Sequence, residues 1–243
     1  MKTLLSFALC VSLVWGARDF STSGDRIVDG TPSASSTIAA YTACNWTYPT
    51  ASPAVSSRFI EISNATPATV MIAAMLAAGT IQVARQTSGT ARSAISTDTL
   101  SLNTWYFVCG TYDGAGSIPK ISISGDSGIN TTTTEASYGT TSAGTGTDNS
   151  GIPTAIFIGN NSAFTREHKG GMAGSWLFDT VLTTAQMNSL ARGYPVSGAV
   201  NYVAIQGNVT PELDTSGKGN AFDVTGTTKA DHAPIAPSFG WWN

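Results

Sequence analysis

Glu61 is the strand carboxylate best placed for acid–base chemistry. It lies in the alternating segment at residues 58–62, where side chains two positions apart share one face of a strand. Hydrolysis of a glycosidic bond requires two carboxyl groups flanking the bond, one as acid and one as nucleophile or base. No second carboxylate stands in register with Glu61, so we interpret Glu61 as an exposed residue on a strand face.

The two histidines offer no better catalytic arrangement. His168 and His232 lie far apart in the sequence, both in turn-like contexts. Nucleophilic catalysis needs a base such as histidine beside an activated serine or cysteine, and the chain contains no Gly-x-Ser-x-Gly motif to hold such a serine. We therefore predict two surface histidines, no catalytic residue and no enzymatic activity.

Cysteine chemistry is equally sparse. Cys10, Cys44 and Cys109 are too few and too irregularly spaced for a disulfide framework or a zinc site. Cys44 and Cys109 each lie inside an apolar, strand-like segment. We favour two buried free thiols, and a Cys44–Cys109 disulfide is the alternative.

Charge and composition narrow the class of protein. The 12 Lys and Arg residues are scattered singly along a chain of net charge −3, so no basic stripe exists to neutralise nucleic-acid phosphates. The chain has 243 residues, of which 42% are hydrophobic and 11% charged. This is long enough and apolar enough for one folded domain with a substantial core, so we predict a single main domain over residues 18–243.

Residues 1–17 support two interpretations. Lys2, an apolar stretch and the small residues Gly16 and Ala17 have the form of a cleavable secretory signal. The alternative, which we favour, is that residues 12–20 form the first strand of the domain. The stretch is shorter than the roughly 18 apolar residues of a membrane-spanning helix, and no later run approaches that length, so we predict no membrane span.

The elements that must position any site are mostly short strands. An alternating segment at residues 104–112 opens around Trp105 and closes at the turn Asp113-Gly114. Residues 118–124 are its predicted hairpin partner. Residues 131–151 are almost free of large apolar side chains, so we predict a long exposed loop there.

One segment has convincing helical character. Residues 182–192 place Met187 and Leu190 on one face, with Thr183 as a candidate N-cap and Gly193 at the end. A single short helix near 182–192 within a strand-rich chain predicts an all-β fold.

The order of four segments carries a family resemblance. They are residues 18–20 with 25–27 as an opening strand pair, residues 42–49, residues 104–114, and the succession 156–159, 174–178 and 182–190. Together they resemble the laminin-G-like branch of the concanavalin A-like lectin/glucanase superfamily. Residues 214–220 and 230–234 resemble the tails of single-domain members from bacteria and tailed phages. The resemblance implies an antiparallel jelly-roll sandwich of two sheets.

The resemblance also bears on metal binding. Many members bind Ca²⁺ through loop carboxylates and carbonyls, and Asp25, Asp113, Asp148 and Asp214 lie in suitable loops. None belongs to a dense Asp/Asn ladder. The sequence therefore leaves calcium binding undecided, assigns no ligands to it and predicts no other cofactor.

Aromatic side chains are the natural candidates for sugar contact, since flat apolar rings stack on sugar C–H faces. Trp46, Trp105 and Trp176 lie in predicted strands, and we expect them in the core. Trp241 and Trp242 are near the C terminus, where an exposed or interface role is expected. Glycan-binding residues thus stay unassigned, and we expect function in residues 131–151 and at the two termini.

Our first hypothesis is a non-enzymatic recognition or adhesion module, located outside a cell or on a phage virion. It would bind glycans through loops at the edge of the sandwich. The alternative is a purely structural virion decoration or fibre protein, and a secreted glycosidase ranks last. The expected partners are glycans or a virion or cell-surface protein, with no nucleic acid, and self-association into a homo-oligomer is left open.

Overall fold

The computed structural model describes residues 17–230 with some internal gaps. The positions left out within that range are 33–37, 65–68, 115, 125–131, 150–151, 204, 206 and 208–209. The N-terminal prediction for residues 1–16 lies outside the described residues, as do those for His232, Trp241 and Trp242.

Strands dominate the described part of the chain. In chain order they are β1 (Ala17–Phe20), β2 (Arg26–Asp29), β3 (Tyr41–Pro49), β4 (Ser56–Asn64), β5 (Thr69–Leu76), β6 (Thr80–Arg85), β7 (Arg92–Thr99), β8 (Tyr106–Tyr112), β9 (Lys120–Ser124), β10 (Thr133–Glu135), β11 (Tyr138–Ser142), β12 (Pro153–Ile158), β13 (Gly170–Phe178), β14 (Ala199–Val203), β15 (Glu212–Leu213), β16 (Ala221–Thr225) and β17 (Thr228–Ala230). The helix α1 spans Thr184–Ala191 between β13 and β14.

The strands form two antiparallel sheets. Sheet A has the order β10-β9-β8-β3-β13-β1-β17, with β14 also paired to β13. Sheet B has the order β11-β7-β6-β5-β4-β12-β2-β16-β15. The prediction of an all-β, two-sheet antiparallel sandwich with one short helix near 182–192 is confirmed. The expected hairpin of β8 and β9 is confirmed as well.

The opening strand pair was predicted wrongly. β1 pairs with β13 and β17 in sheet A, whereas β2 pairs with β12 and β16 in sheet B. The Asp25 carboxylate accepts hydrogen bonds from the backbone amides of Ser21 (2.7 Å) and Thr22 (2.8 Å). This tight turn carries the chain from one sheet to the other instead of closing a hairpin.

Two apolar layers stabilise the sandwich. The main core lies between the sheets and includes Phe20, Ile27 and Phe59, all fully buried. A second layer covers the outer face of sheet A, where Met187 and Leu190 of α1 belong to the same buried cluster as strand aromatics. Thr183 is the N-cap of α1, which confirms that prediction, and it also forms a capping box with Gln186.

Residues 131–151 are not one long loop, so that prediction is wrong. They contain β10, which pairs with β9, and β11, which pairs with β7. Both strands are rich in threonine, a β-branched residue that favours strands. Their side chains are largely exposed, so the hydrophobic alternation that marks a half-buried strand is absent.

Cys44 and Cys109 form a disulfide, so the favoured prediction of free thiols is wrong. β3 and β8 pair these residues directly across the ladder, with the two Cα atoms 4.1 Å apart. Directly opposed residues of an antiparallel pair come this close. The bond lies in the buried layer beneath α1.

Candidate functional site

One end of the sandwich gathers loops from both sheets. The loops cover residues 21–25, 50–55, 101–105 and 159–169, and we call this set the loop end. Pairing of both Pro49 and Phe20 with Gly170 brings the ends of β1, β3 and β13 together.

Backbone conformation sets the loop end apart. Among the described non-glycine residues, three have a positive φ, and two of them, Asn103 (58°) and Phe164 (56°), lie here. Such conformations persist only where the surroundings enforce them, and they cluster at functional sites. Leu102 and Phe164 are also exposed apolar side chains. These features select the loop end as the candidate site.

Two glycines allow close packing at the two ends of the loop at residues 159–169. Gly159 has a φ of +79°, and a Cβ there would lie 2.2 Å from the Phe20 ring. Gly170 has a φ of +128°, and a Cβ there would lie 1.9 Å from the carbonyl oxygen of Tyr48. Only glycine fits either position.

Asn160 fixes the loop internally. Its Oδ1 accepts hydrogen bonds from the amides of Asn161 (2.9 Å) and Arg166 (3.1 Å). Its Nδ2 donates to the carbonyls of Ser23 (3.0 Å) and Asp25 (3.3 Å). One buried side chain thereby joins two loops, so a ligand would meet a surface that is already ordered.

His168 is fully buried, so the prediction of a surface histidine is wrong for this residue. Its amide donates to the carbonyl of Gly159 (2.6 Å), which folds the loop back onto the core. The ring lies beside Phe20 and Phe59, with Nε2 3.2 Å from Thr47 Oγ1. Burial lowers the pKa of His168 to about 4, so at neutral pH the ring is an uncharged structural anchor.

Glu61 is also buried, at 3% exposure, so the prediction of an exposed face residue is wrong. Phe157 and Ile72 stand opposite it on the two neighbouring strands. Its Oε2 lies 3.0 Å from Arg58 Nε. The carboxylate is therefore held in an ion pair on the outer face of sheet B.

A shallow groove at the loop end is lined by two half-buried aromatic rings. The centroids of Tyr48 and Trp105 are 5.3 Å apart, with an angle of 43° between the planes. The groove has a volume of about 260 Å³, and we call it the Trp105 groove. Its lining residues are Asp19, Tyr48, Thr50, Trp105, Gly171 and Ala230.

The three strand tryptophans differ in burial. Trp46 is 1% exposed and Trp176 is 4% exposed, which confirms their assignment to the core. Trp105 is only partly buried and packs against the buried cluster on the outer face of sheet A, so the same assignment is correct only in part for it. Trp105 lies immediately before β8, which begins at Tyr106, and shortly after Asn103, whose φ is positive. A tryptophan at a strand boundary beside a turn was the available signal.

The Trp105 groove combines an apolar platform with a charged acceptor. A Cβ at Gly171 would lie 3.1 Å from the Trp105 ring, so the missing side chain leaves room for the indole against β13. Asp19 is partly exposed and offers carboxylate oxygens, while Thr50 offers a hydroxyl. This set can stack against a ring and accept hydrogen bonds from its hydroxyl groups.

A second aromatic groove is a weaker candidate. Trp176 and Tyr202 stack at 5.0 Å and line a groove of about 290 Å³ near the end of α1. The Trp176 ring is almost covered, and no charged side chain occurs among the described lining residues. The Trp105 groove therefore offers the richer chemistry.

The aspartates considered for calcium do not form a metal cluster. Asp25, Asp113 and Asp214 each accept hydrogen bonds from neighbouring side chains or amides. Asp148 pairs with Arg92 at 2.8 Å. Within the described ranges, no group of three or more His, Cys, Asp or Glu side chains is arranged to hold a metal. These residues therefore do not fit a calcium site built on carboxylates.

Asp148 instead belongs to a charged network. Burial acts to raise its pKa, but hydrogen bonds from Tyr112 and Arg92 and the charge of Arg85 outweigh it and lower the pKa. The carboxylate is therefore ionised and structurally engaged.

Comparison with known proteins places the chain in a family. A laminin-G family model, described as the concanavalin A-like lectin/glucanases superfamily, matches residues 22–188. No curated protein sequence matches the chain. Across the described residues, no helix is both long and apolar enough to cross a membrane.

Solved structures share the fold at low identity. A protein from Bacteroides ovatus, provisionally described as carbohydrate binding, has a TM-score of 0.63 and 18% identity over 93% of this chain and 62% of that one. The present chain thus spans less than two thirds of that protein. The heptameric SAP-like pentraxin from Limulus polyphemus has a TM-score of 0.58 and 14% identity, covering 93% and 99% of the two chains. Domains LG4-5 of the mouse laminin alpha1 chain have a TM-score of 0.49 and 15% identity, covering 70% and 43%.

The family match extends over more than half of the sequence, and the two-sheet sandwich is the architecture that it requires. The chain belongs to the concanavalin A-like lectin/glucanases superfamily and is a lectin-like module of the laminin-G type.

Proposed function

We propose that the chain is a non-enzymatic glycan-binding module and that the Trp105 groove is its binding site. The observation that carries the proposal is the half-buried pair Tyr48 and Trp105, set beside the carboxylate of Asp19. Aromatic faces contact the C–H faces of sugar rings, and a carboxylate accepts hydrogen bonds from sugar hydroxyls. Hydrogen bonds from the Thr50 amide to the Lys169 carbonyl (2.9 Å) and from the Asn103 amide to the Pro49 carbonyl (2.7 Å) hold the lining loops in place, which lowers the conformational cost of binding.

The groove supports binding more than hydrolysis. Glycoside hydrolysis needs two carboxyl groups, about 5–9.5 Å apart. Asp19 is the only carboxylate among the lining residues that the structure describes. Glu61, the earlier candidate, lies in sheet B and is paired with Arg58. A recognition role therefore explains the groove better than a catalytic one.

Replacement of the stacking ring tests the site. We expect Trp105→Ala to weaken binding of glycans selected on an array by about tenfold or more, since buried aromatic anchors dominate such interfaces. Isothermal titration calorimetry would measure the change. Tyr194→Ala is the matched control, because Tyr194 is an aromatic residue 46% exposed and lies outside the groove.

Two outcomes would contradict the proposal. One is an array on which the folded wild-type chain binds no glycan. The other is an affinity that survives replacement of both Tyr48 and Trp105 by alanine in a folded variant. Sugar release from any bound glycan would argue against the non-enzymatic part.

The location proposed for the module is extracellular. Disulfides form and persist in oxidising compartments, and the Cys44–Cys109 bond is buried in the fold. This supports maturation outside a reducing cytoplasm. Display on a phage virion and self-association remain predictions from the sequence. Co-purification with virus particles and native mass spectrometry, respectively, are the measurements that check them.

A further inference from the structure

Two arginines in or directly beside the loop end have no acidic partner. Arg26 is the first residue of β2 and follows the turn at residues 21–25, and Arg166 lies in the loop at residues 159–169. Neither lies within ion-pair distance of a carboxylate in the described part of the chain. By contrast, their neighbour Arg58 is paired with Glu61.

Arg26 is held against aromatic rings. Its guanidinium carbon lies 3.9 Å from the Phe164 centroid and 5.2 Å from the Phe157 centroid. Its Nη1 donates to the carbonyl of Ser162 (3.2 Å), while its Nε is buried without a hydrogen-bond partner. Burial lowers the pKa of Arg26. The buried Nε is closed to a ligand, but the side chain as a whole is half-buried. A partly desolvated guanidinium without a carboxylate partner is a group that an anion at its accessible edge would stabilise.

Arg166 adds a second positive charge on the same loop. Its carbonyl accepts a hydrogen bond from the Arg58 amide (2.9 Å), which places the loop over the start of β4. Burial is the main influence that lowers the pKa of Arg58, and the charge of Arg166 acts in the same direction. Glu167, the neighbour of Arg166, is paired with Lys169 at 3.5 Å, as Glu61 is with Arg58. Arg26 and Arg166 therefore leave an excess of positive charge here.

Phe164 completes the arrangement. Its ring is 37% exposed and its φ is positive, so the loop holds an apolar side chain in solvent at a conformational cost. The turn is fixed by Asn161, whose Oδ1 accepts from the amide of Thr165 (2.8 Å). The exposed ring and the Arg166 guanidinium are thus presented on one ordered loop, which the Arg26 side chain contacts from the start of β2.

We propose that Arg26, Arg166 and Phe164 form a second subsite, for a sugar ring that carries a carboxylate. The planar guanidinium groups bind the carboxylate, and the Phe164 face contacts the sugar ring. The proposal rests on the proposed function, in that the ligand is a saccharide. It adds that the preferred glycans are acidic, of the uronic-acid type.

The experiment compares two probes of equal length. These are tetragalacturonate and its carboxyl-reduced, neutral counterpart, titrated calorimetrically into the folded full chain. We expect the wild type to bind the acidic probe about tenfold more tightly, with a preference that weakens as salt is raised. Arg166→Gln should remove most of this preference and leave the neutral probe unaffected. The Arg166 side chain donates no hydrogen bond among the described residues, so this variant should fold.

Further variants separate the effect of the arginine charges from that of the Phe164 ring and from the general loss of a positive charge. Arg26→Gln and Phe164→Ala should each reduce the preference for the acidic probe. Lys218→Gln is the matched control, since it removes the same charge from an exposed position outside the loop end. It should leave the preference unchanged, while Trp105→Ala should weaken both probes together.

The outcomes distinguish the two proposals. Equal wild-type binding of both probes, or a preference unchanged in Arg26→Gln/Arg166→Gln, would overturn the acidic subsite and leave the Trp105 groove intact. Binding of other glycans with no affinity for either probe would also overturn it. Binding of inorganic sulfate at these arginines without binding of tetragalacturonate would show a general anion site and reject the sugar acid. A glycan array without any binding would instead reject the proposed function.

Discussion

At the residue scale, two buried ionisable side chains have opposite effects on the pH dependence of stability. Burial lowers the pKa of His168 to about 4. Burial raises the pKa of Asp29 to about 6, with the charges of Asp214 and Asp223 adding to it and hydrogen bonds partly offsetting it. Both groups are fully buried.

The two groups respond to acid in opposite directions. Between pH 6.5 and 4 the unfolded chain binds a proton at His168 that the folded chain does not, so acidification removes stability. Between pH 6 and 3.8 the folded chain binds a proton at Asp29 that the unfolded chain does not, so acidification adds stability. Each effect is of order 3 kcal/mol across its window. The two therefore largely cancel in the wild type.

Single substitutions should expose each contribution. As the pH falls from 6 to 4, His168→Gln should become more stable relative to the wild type, because only the Asp29 effect remains. Asp29→Asn should lose stability more steeply than the wild type. Urea unfolding at several pH values measures both, and the differences between variants cancel the titration of surface groups. Parallel stability curves for all three proteins would contradict the assignment.

At the element scale, β3 and β8 connect the disulfide to the Trp105 groove. Tyr48 lies four residues after Cys44, and Trp105 lies four residues before Cys109. Even spacing along a strand keeps side chains on one face. The bond and the two stacking rings therefore lie on the same face of the same strand pair, so the crosslink helps to hold the rings in register.

Removal of the disulfide should lower stability substantially. The bond closes a sequence separation of 65 residues, for which the chain-entropy relation gives about 4 kcal/mol. We expect Cys44→Ser/Cys109→Ser to lose roughly this amount in guanidinium unfolding. A reducing agent is the control, since it should destabilise the wild type and leave the double variant unchanged. Equal stability of the two proteins under oxidising conditions would show that the bond does not form.

Local signals predicted the elements that depend on neighbours in sequence. The strand within residues 104–112 and the N-cap at Thr183 were both interpreted correctly. β10 and β11 were missed because their exposed side chains leave no alternation to detect. The partners that bury Glu61 and His168 come from other strands and are distant in the sequence. The burial of these two side chains therefore could not be predicted from the sequence.

The candidate site was only partly foreseen. The expectation that loops at the edge of the sandwich carry function is compatible with the loop end as the candidate site, and the expectation of a functional role for residues 131–151 stays a prediction. Trp105 was expected in the core, because alternation defines a face without showing what covers it. The opposed positions of Cys44 and Cys109 depend on the β3–β8 register, which sequence spacing does not determine.

At the scale of the whole molecule, the disulfide changes the balance between the two interpretations of the N terminus. Secretion would provide an oxidising compartment, and cleavage after Gly16 would retain residues 17–20, the described part of β1. We therefore expect the natural protein to start at Ala17. N-terminal sequencing of material from its source measures this, and recovery of Met1 would contradict secretion by signal cleavage.

The outermost strands of both sheets affect how copies of this protein can stand beside one another. In the described part of the chain, the outer strands of sheet A are β10 and β17, with three residues each, and β14, with five. Those of sheet B are β11 and β15, with five and two. Short outer strands expose few unpaired backbone N–H and C=O groups with which a strand of another chain could pair. Many copies could thus stand side by side on a surface without growing into fibrils, and a dense array would gain avidity from many weak contacts.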